Sequence, residues 1–397
     1  MSVGASATSP GRPPSPAPPR FGDASVAEVF PSAIAAVTGD DLGDRIGLPC
    51  GVRAVIVLVV DGLGRRNLDR AAVHAPTLAA ATGPTFDAPF PSTTAVSLTT
   101  FGTARPPGEH GLTSYSVAMP EHDRPLICLT WTWDQQVGGD DARDDVPPEA
   151  FQPHPTAFAA APGRGARAVT VLRPEFVTSG LTRAGLRDGR VVVAAGLDET
   201  LAAAVDAATG PDPVVIYAHH PDLDASGHWY GPHTDPWDTE LTRVDAAIAG
   251  LVDRLPSDTA LVVTADHGMV HVPQEGFVEL ADRPDLLDGV RVLTGDGRAR
   301  QLHTRPGAAA DVLAAWREDV GADGHVVTRE EAIAAGWFGP HVEERVAARI
   351  GDVLAVAHAP IAWVHRDLDL FGGRLPGMHA GLTRTELEVP VLVLPGS

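Results

Sequence analysis

Six short runs of almost unbroken apolar residues punctuate the chain: Val55–Val60, Ala168–Leu172, Val191–Ala195, Val214–Ala218, Ala260–Thr264 and Val389–Leu394. They are continuous rather than alternating and rich in Val. That pattern predicts strands covered on both faces, and the runs are too short for buried helices. Helical patterns lie between them, notably over 197–208 and 235–254. In the second, Leu241, Val244, Ile248, Leu251 and Leu255 recur at helical spacing and form a core-facing stripe. Strands alternating with helices imply an α/β fold, with a mostly parallel central sheet and helices on both faces.

The pattern changes between residues 276 and 375. A strand pair around Val290–Thr304, a helix at 308–319, a strand near His325–Thr328 and a helix at 341–350 are expected there, with a last strand pair over 352–365. This reads as a small inserted α/β subdomain, a possible lid, on a catalytic domain built from 23–275 and 376–397. Residues 1–22 are rich in Pro, Ser and Ala and are expected to form a disordered tail. Residues 134–149 form an acidic loop rich in Gly and Pro.

Composition narrows the chemistry. The 397 residues carry a formal charge of −21, which disfavours a role coating nucleic-acid polymers. Every basic side chain other than His is Arg, so mechanisms built on a lysine are excluded. Two cysteines, Cys50 and Cys128, rule out a disulfide framework or a Cys-rich zinc module. Neither a leader-like apolar run nor a membrane-length segment stands out, so a cytoplasmic protein with no membrane partner is the expectation.

Four segments carry candidate chemistry, each placed where an open α/β sheet puts its site, past the C-terminal ends of strands. Asp61 ends the first apolar run, with Gly62 and Gly64 permitting a tight turn. Pro91, Ser92, Thr93 and Thr94 lead into a helical pattern, where a hydroxyl meets free N–H groups and the positive end of the helix dipole. Asp224 and His228 are four apart in HHPDLDASGHWYGPH, so a helical turn or a tight loop at Gly227 can bring both onto one ion; His219, His220 and His233 lie nearby. Asp266 and His267 directly follow a buried run, and His379 precedes the last one. Three carboxylates and three imidazoles exceed what one zinc requires. With Thr94 they suffice for two ions that could serve an in-line displacement. These donors alone accept Zn²⁺, Mn²⁺ or Fe²⁺.

In this order the segments resemble the alkaline phosphatase superfamily, and within it the type I phosphodiesterase/nucleotide pyrophosphatase family, over roughly 50–275 and 375–397. PSTT resembles that family's nucleophile motif, PDLDASGHWYGP its metal-binding stretch, ADHGM its most specific tag and GMHAG its late histidine motif. The resemblance implies two zinc ions, one held by Asp61, Thr94, Asp266 and His267 and the other by Asp224, His228 and His379. It implies attack by Thr94 and a phosphothreonine intermediate in hydrolysis of phosphodiester or pyrophosphate bonds. Two departures stand out. Tyr115 occupies the place of an Asn expected to bind a phosphate oxygen, and Ala-Val-Ser follows Thr94 where the family has Phe-Pro-Asn-His. Phe90, Tyr115 and Trp229 are candidate contacts for a small phosphoester substrate. The alternatives are a phosphomonoesterase or phosphomutase of the same superfamily, or a non-catalytic metal-binding protein.

Overall fold

The central sheet has seven strands: β1 (Ala54–Val60), β2 (Thr85–Asp87), β3 (Arg167–Leu172), β4 (Arg190–Val193), β5 (Val214–His220), β6 (Thr259–Thr264) and β7 (Glu388–Pro395). The computed structural model describes residues 16–40, 43–49, 51–119, 122, 124–133 and 139–396. Spatial order is β2-β7-β6-β1-β5-β3-β4. From β6 to β4 all pairings are parallel, as expected. β7 runs antiparallel to both β6 and β2. Continuous apolar runs mark the middle of the sheet because both faces there are covered: β1, β5 and β6 are buried along their whole length.

β4 departs from that expectation. It is the edge strand, with Val191 and Val193 exposed. A Val run marks β propensity as well as burial, so it could not reveal the missing neighbour. Helices Leu197–Ala208 and Asp235–Val252 match the predicted spans, and Leu241, Val244, Ile248 and Leu251 of the second face the core.

The insertion forms a four-stranded antiparallel sheet in the order Val290–Asp296, Ala299–Thr304, Val353–Ala357, Gly324–Thr328. Helix Ala309–Val320 packs Val312, Trp316 and Val320 into a separate core with Leu302, Val353 and Trp363. Three details differ from expectation. Helix Arg329–Ala334 exists, opened by a capping box between Thr328 and Glu331. The expected helix at 341–350 shrinks to Glu344–Ala347. The segments within 352–365 do not pair with each other: Val353–Ala357 joins the inserted sheet, while Ala362–Val364 pairs with Phe277–Glu279.

Two ion pairs, one fully buried and one with a half-exposed arginine, fasten this architecture. Arg298, at the turn of the hairpin Val290–Thr304, bonds both carboxylate oxygens of Glu386 at 2.6 and 3.0 Å, and both side chains are almost fully buried. The same guanidinium donates to the carbonyls of Ala359 and Ile361. It therefore staples the insertion to the catalytic domain. Arg20 pairs with the buried Asp87 of β2 at 2.8 Å. Residues 16–22 are thus tied down at Arg20, short of the tail expected over 1–22; residues 1–15 lie outside the described residues, as does 134–138 of the acidic loop. Among the described residues, no helix is long and apolar enough to cross a membrane.

Candidate active site

The site forms at the C-terminal ends of the parallel strands. Asp61 follows β1 directly, Asp266 and His267 follow β6, and Asp224 and His228 lie on helix Asp222–Tyr230 just beyond β5. That helix resolves the choice left open between a helical turn and a loop. Gly62 adopts a left-handed φ of 75°, and a Cβ there would sit 3.1 Å from the Asp224 carboxylate. Gly64 has an ordinary backbone; its role is close approach, since a Cβ would stand 2.5 Å from Gly268. These two glycines let the β1, β5 and β6 ends converge.

The donor atoms converge accordingly. Those of Asp61, Asp266 and His267 lie within 4.8 Å of one another, as do those of Asp224, His267 and His379. His228 Nε2 is 3.2 Å from Asp224 Oδ2 and 3.2 Å from His379 Nε2. The His267 and His379 rings stack at 3.7 Å and join the two groups. Thr94 Oγ1 is 3.3 Å from His267 Nε2. All seven expected metal-site residues therefore meet in one place.

Hydrogen bonding fits a metal centre. Nδ1 of His228, His379 and His267 faces the carbonyls of Gly377, Ser92 and Gly268 at 2.8, 2.9 and 3.1 Å. Donating there turns each Nε2 toward the cluster, as in histidines that bind metals. Asp266 Oδ1 accepts from the N–H groups of Gly62 and His267. Asp61 Oδ1, Asp224 Oδ1 and Asp266 Oδ2 are buried with no hydrogen-bond partner. Three orphaned carboxylate oxygens in one buried cluster fit cation binding, which would satisfy all three.

The electrostatics agree. Burial, then Asp266 and Asp224, push the Asp61 carboxyl well above its usual range. Burial and Asp224 raise Asp266 to about 6. Burial lowers His267 and His379 to about 4, which leaves them as neutral ligands near pH 7. His228 goes the other way: burial lowers it, but Asp224 overrides and raises it to about 9. His219 reads as a bystander in the sequence, yet its Nε2 lies 3.1 Å from Asp61 Oδ2 and orients that carboxylate. His220 instead joins Glu240, which Arg243 neutralises, and His233 packs on Trp237.

Thr94 opens helix Thr94–Thr103 and is half-buried. The Thr93 side chain makes no capping bond there, so the first-turn N–H groups stay available to an anion. Ser92 acts as a tether. Its hydroxyl donates to Gly381 O at 3.0 Å, and its carbonyl receives His379, which ties GMHAG to the segment that leads into Thr94.

A cavity of about 610 Å³ opens onto Thr94, lined also by Tyr115, Trp229 and the hairpin turn Gly295–Gly297 of the insertion. No arginine lines it among the described residues. Arg65, Arg66 and Arg105 are engaged elsewhere, with Asp69, Glu388 and Glu109. Tyr115 is in place, and burial raises its pKa, so the phenol stays a hydrogen-bond donor. The Trp229 and Phe371 rings meet in a tilted contact at the mouth, 5.0 Å between centroids. Phe90 corrects the sequence expectation. It is fully buried, packs against Trp337 and Phe338, and does not line the cavity. Its position beside the motif suggests a substrate wall, but its ring points into the core beneath it.

The α/β sheet thus ends in clustered acid and imidazole donors beside a threonine at a helix start, and the family match makes the chain a phosphoester hydrolase. The chain belongs to the type I phosphodiesterase/nucleotide pyrophosphatase family, whose sequence pattern matches residues 55–377. The fold is similar to that of murine ectonucleotide pyrophosphatase/phosphodiesterase 5, with a TM-score of 0.62 and 16% identity over 86% of this chain and 88% of that one. It is also similar to phosphonoacetate hydrolase from Sinorhizobium meliloti 1021, with a TM-score of 0.63 and 22% identity over 88% and 91%. A stretch of 55 residues is 47% identical to the catalytic subunit of human GPI ethanolamine phosphate transferase 3, covering 14% of this chain and 5% of that protein.

Proposed function

We propose that this enzyme hydrolyses phosphodiester or pyrophosphate bonds of small substrates, nucleotide-like or other, through a covalent intermediate on Thr94. Asp61, Thr94, Asp266 and His267 would hold one divalent ion, and Asp224, His228 and His379 the other. Zinc is the expected ion, and Mn²⁺ or Fe²⁺ suits the same donors. When bound, the two ions supply positive charge that favours the threonine alkoxide and offsets charge on phosphoryl oxygens. Thr94 Oγ1 forms a bond to phosphorus as the bond to the leaving oxygen breaks, and water later cleaves the threonine ester. The helix N-terminus at Thr94 and the Tyr115 phenol, which also lines the cavity, would donate to phosphoryl oxygens.

The observation that carries the diester reading is the cavity beside Thr94, whose walls are largely apolar and hold no arginine among the described residues. A monoester dianion needs several donors for three free oxygens; a diester has one charge and a second arm needing apolar surface. Comparing kcat/KM for bis(p-nitrophenyl) phosphate and p-nitrophenyl phosphate tests this, with the diester expected to lead by tenfold or more. A tenfold monoester preference, about 1.4 kcal/mol of transition-state binding, would overturn it. The short match to a transferase supports a second reading, delivery of the bound group to an alcohol. Added glycerol diverting product from hydrolysis would favour that reading.

A further inference from the structure

The cavity extends past the nucleophile into an apolar pouch. Leu98 lies one turn along the helix that Thr94 opens, Leu172 ends β3, and Leu181 and Leu186 come from helix Gly180–Gly185 and the residue that caps it. All four side chains are buried, yet all line the cavity. Tyr217, on β5, also lines it. Its ring is fixed by edge contacts with Phe158 and a tilted contact with Phe30, and the residue is fully buried. Its hydroxyl has no hydrogen-bond partner, and neither has the buried hydroxyl of Thr93, which lines the same space. A buried phenol without an acceptor is costly to a fold, and a ligand oxygen would satisfy it.

We infer that this pouch is a specificity subsite for the substrate's non-leaving arm, an uncharged aryl or alkyl group carrying an oxygen acceptor that Tyr217 hydrogen-bonds. This rests on the diesterase reading and names the class of diester. Leucine walls favour length and apolarity, the absence of arginine disfavours further phosphates, and the phenol discriminates among arms of equal size. A site built to hydrogen-bond a ligand group separates ligands with and without it more sharply than apolar walls separate chain lengths.

Three p-nitrophenyl diesters with one leaving group test the assignment: methyl, hexyl, and hexyl ending in an acetyl ester. In the wild type, kcat/KM should rise about tenfold or more from methyl to hexyl, and about five- to tenfold again with the carbonyl. Tyr217→Phe should erase the second gain and keep the first. Leu98→Phe should shrink the first; where that variant fails to fold, the Tyr217→Phe ratio still decides. Equal rates for methyl and hexyl, or a carbonyl gain that survives Tyr217→Phe, would overturn the subsite. If no diester turns over but p-nitrophenyl phosphate does, the diesterase reading fails on its own. Competitive inhibition by hexyl phosphate against methyl phosphate then reads the pouch separately: stronger hexyl inhibition supports it, and equal inhibition overturns it.

Discussion

The donor cluster and the cavity wall opposite it are assembled in different ways. Asp61, Asp266 and His267 each lie within three residues of a strand end, His379 directly follows the short strand Gly377–Met378, and the backbone carbonyls of Gly377, Ser92 and Gly268 fix the imidazoles. The wall gathers side chains from helix Thr94–Thr103, helix Gly180–Gly185, the hairpin turn Gly295–Gly297 and the loop near Phe371, segments far apart in sequence. The first region is polar, dense and pinned by hydrogen bonds to backbone carbonyls. The second is apolar and held by long-range packing through Arg298 and Glu386. Chemistry should therefore fail sharply when the cluster is touched, and selectivity should shift gradually when the wall is.

The largest effect is expected at the nucleophile. Thr94→Ala should lower kcat by at least about a thousandfold while metal content, measured by elemental analysis, stays near two ions per chain. Thr93→Ala should cost about tenfold or less; if Thr93 proves the essential hydroxyl, the nucleophile is misplaced by one residue.

Removing donors comes next. Asp266→Ala or His267→Ala should abolish activity and reduce bound metal together. Chelation should lower the melting temperature by an amount on the order of 5–10 °C, because three clustered carboxylates lose the charge that balances them. Identical melting of the metal-free and metal-loaded forms would separate these residues into unrelated roles.

The staple on the wall side should matter for stability more than for chemistry. Arg298→Met leaves Glu386 buried and unpaired and should cost about 3–5 kcal/mol in denaturant unfolding. Burial raises the Glu386 carboxyl, but Arg298 overrides it and holds the pKa below the ordinary range. Its contribution is thus fully present above the unfolded carboxylate value, about 4.3, and is lost as pH falls through the lower folded value. Urea midpoints for the wild type and Glu386→Gln should converge as pH drops below about 4. A gap that is constant with pH would contradict the pairing.

The smallest effect belongs to the mouth. Trp229→Ala removes the tilted contact with Phe371 and should raise KM a few-fold with kcat nearly unchanged. A collapse of kcat instead would place Trp229 in the chemistry.

The same contrast explains what the sequence discloses. Asp224 with His228 and Asp266 with His267 are readable, because adjacent or four-apart acid and imidazole residues past apolar runs have few packing explanations; Asp61, Thr94 and His379 are readable only through the order of the segments and the family resemblance, since alone each fits a cap or a packed side chain. The central strands are readable from Val-rich runs. Phe90 misleads because an aromatic beside a motif looks the same whether it faces substrate or the Trp337–Phe338 core. Tyr217 and Leu98 carry no signal at all, since apolar residues lining a pouch share their periodicity with those filling a core. His219 can be found only through the register that sets it beside Val59, two residues from Asp61 on the neighbouring strand.

The measurement that bears most directly on this account is acid quench of a single turnover on bis(p-nitrophenyl) phosphate, followed by peptide mass spectrometry. The account predicts a p-nitrophenyl phosphoryl adduct on Thr94, formed with a burst of p-nitrophenol and absent from Thr94→Ala. Turnover with no adduct in the burst phase, or an adduct on Ser92 or Thr93, would contradict it.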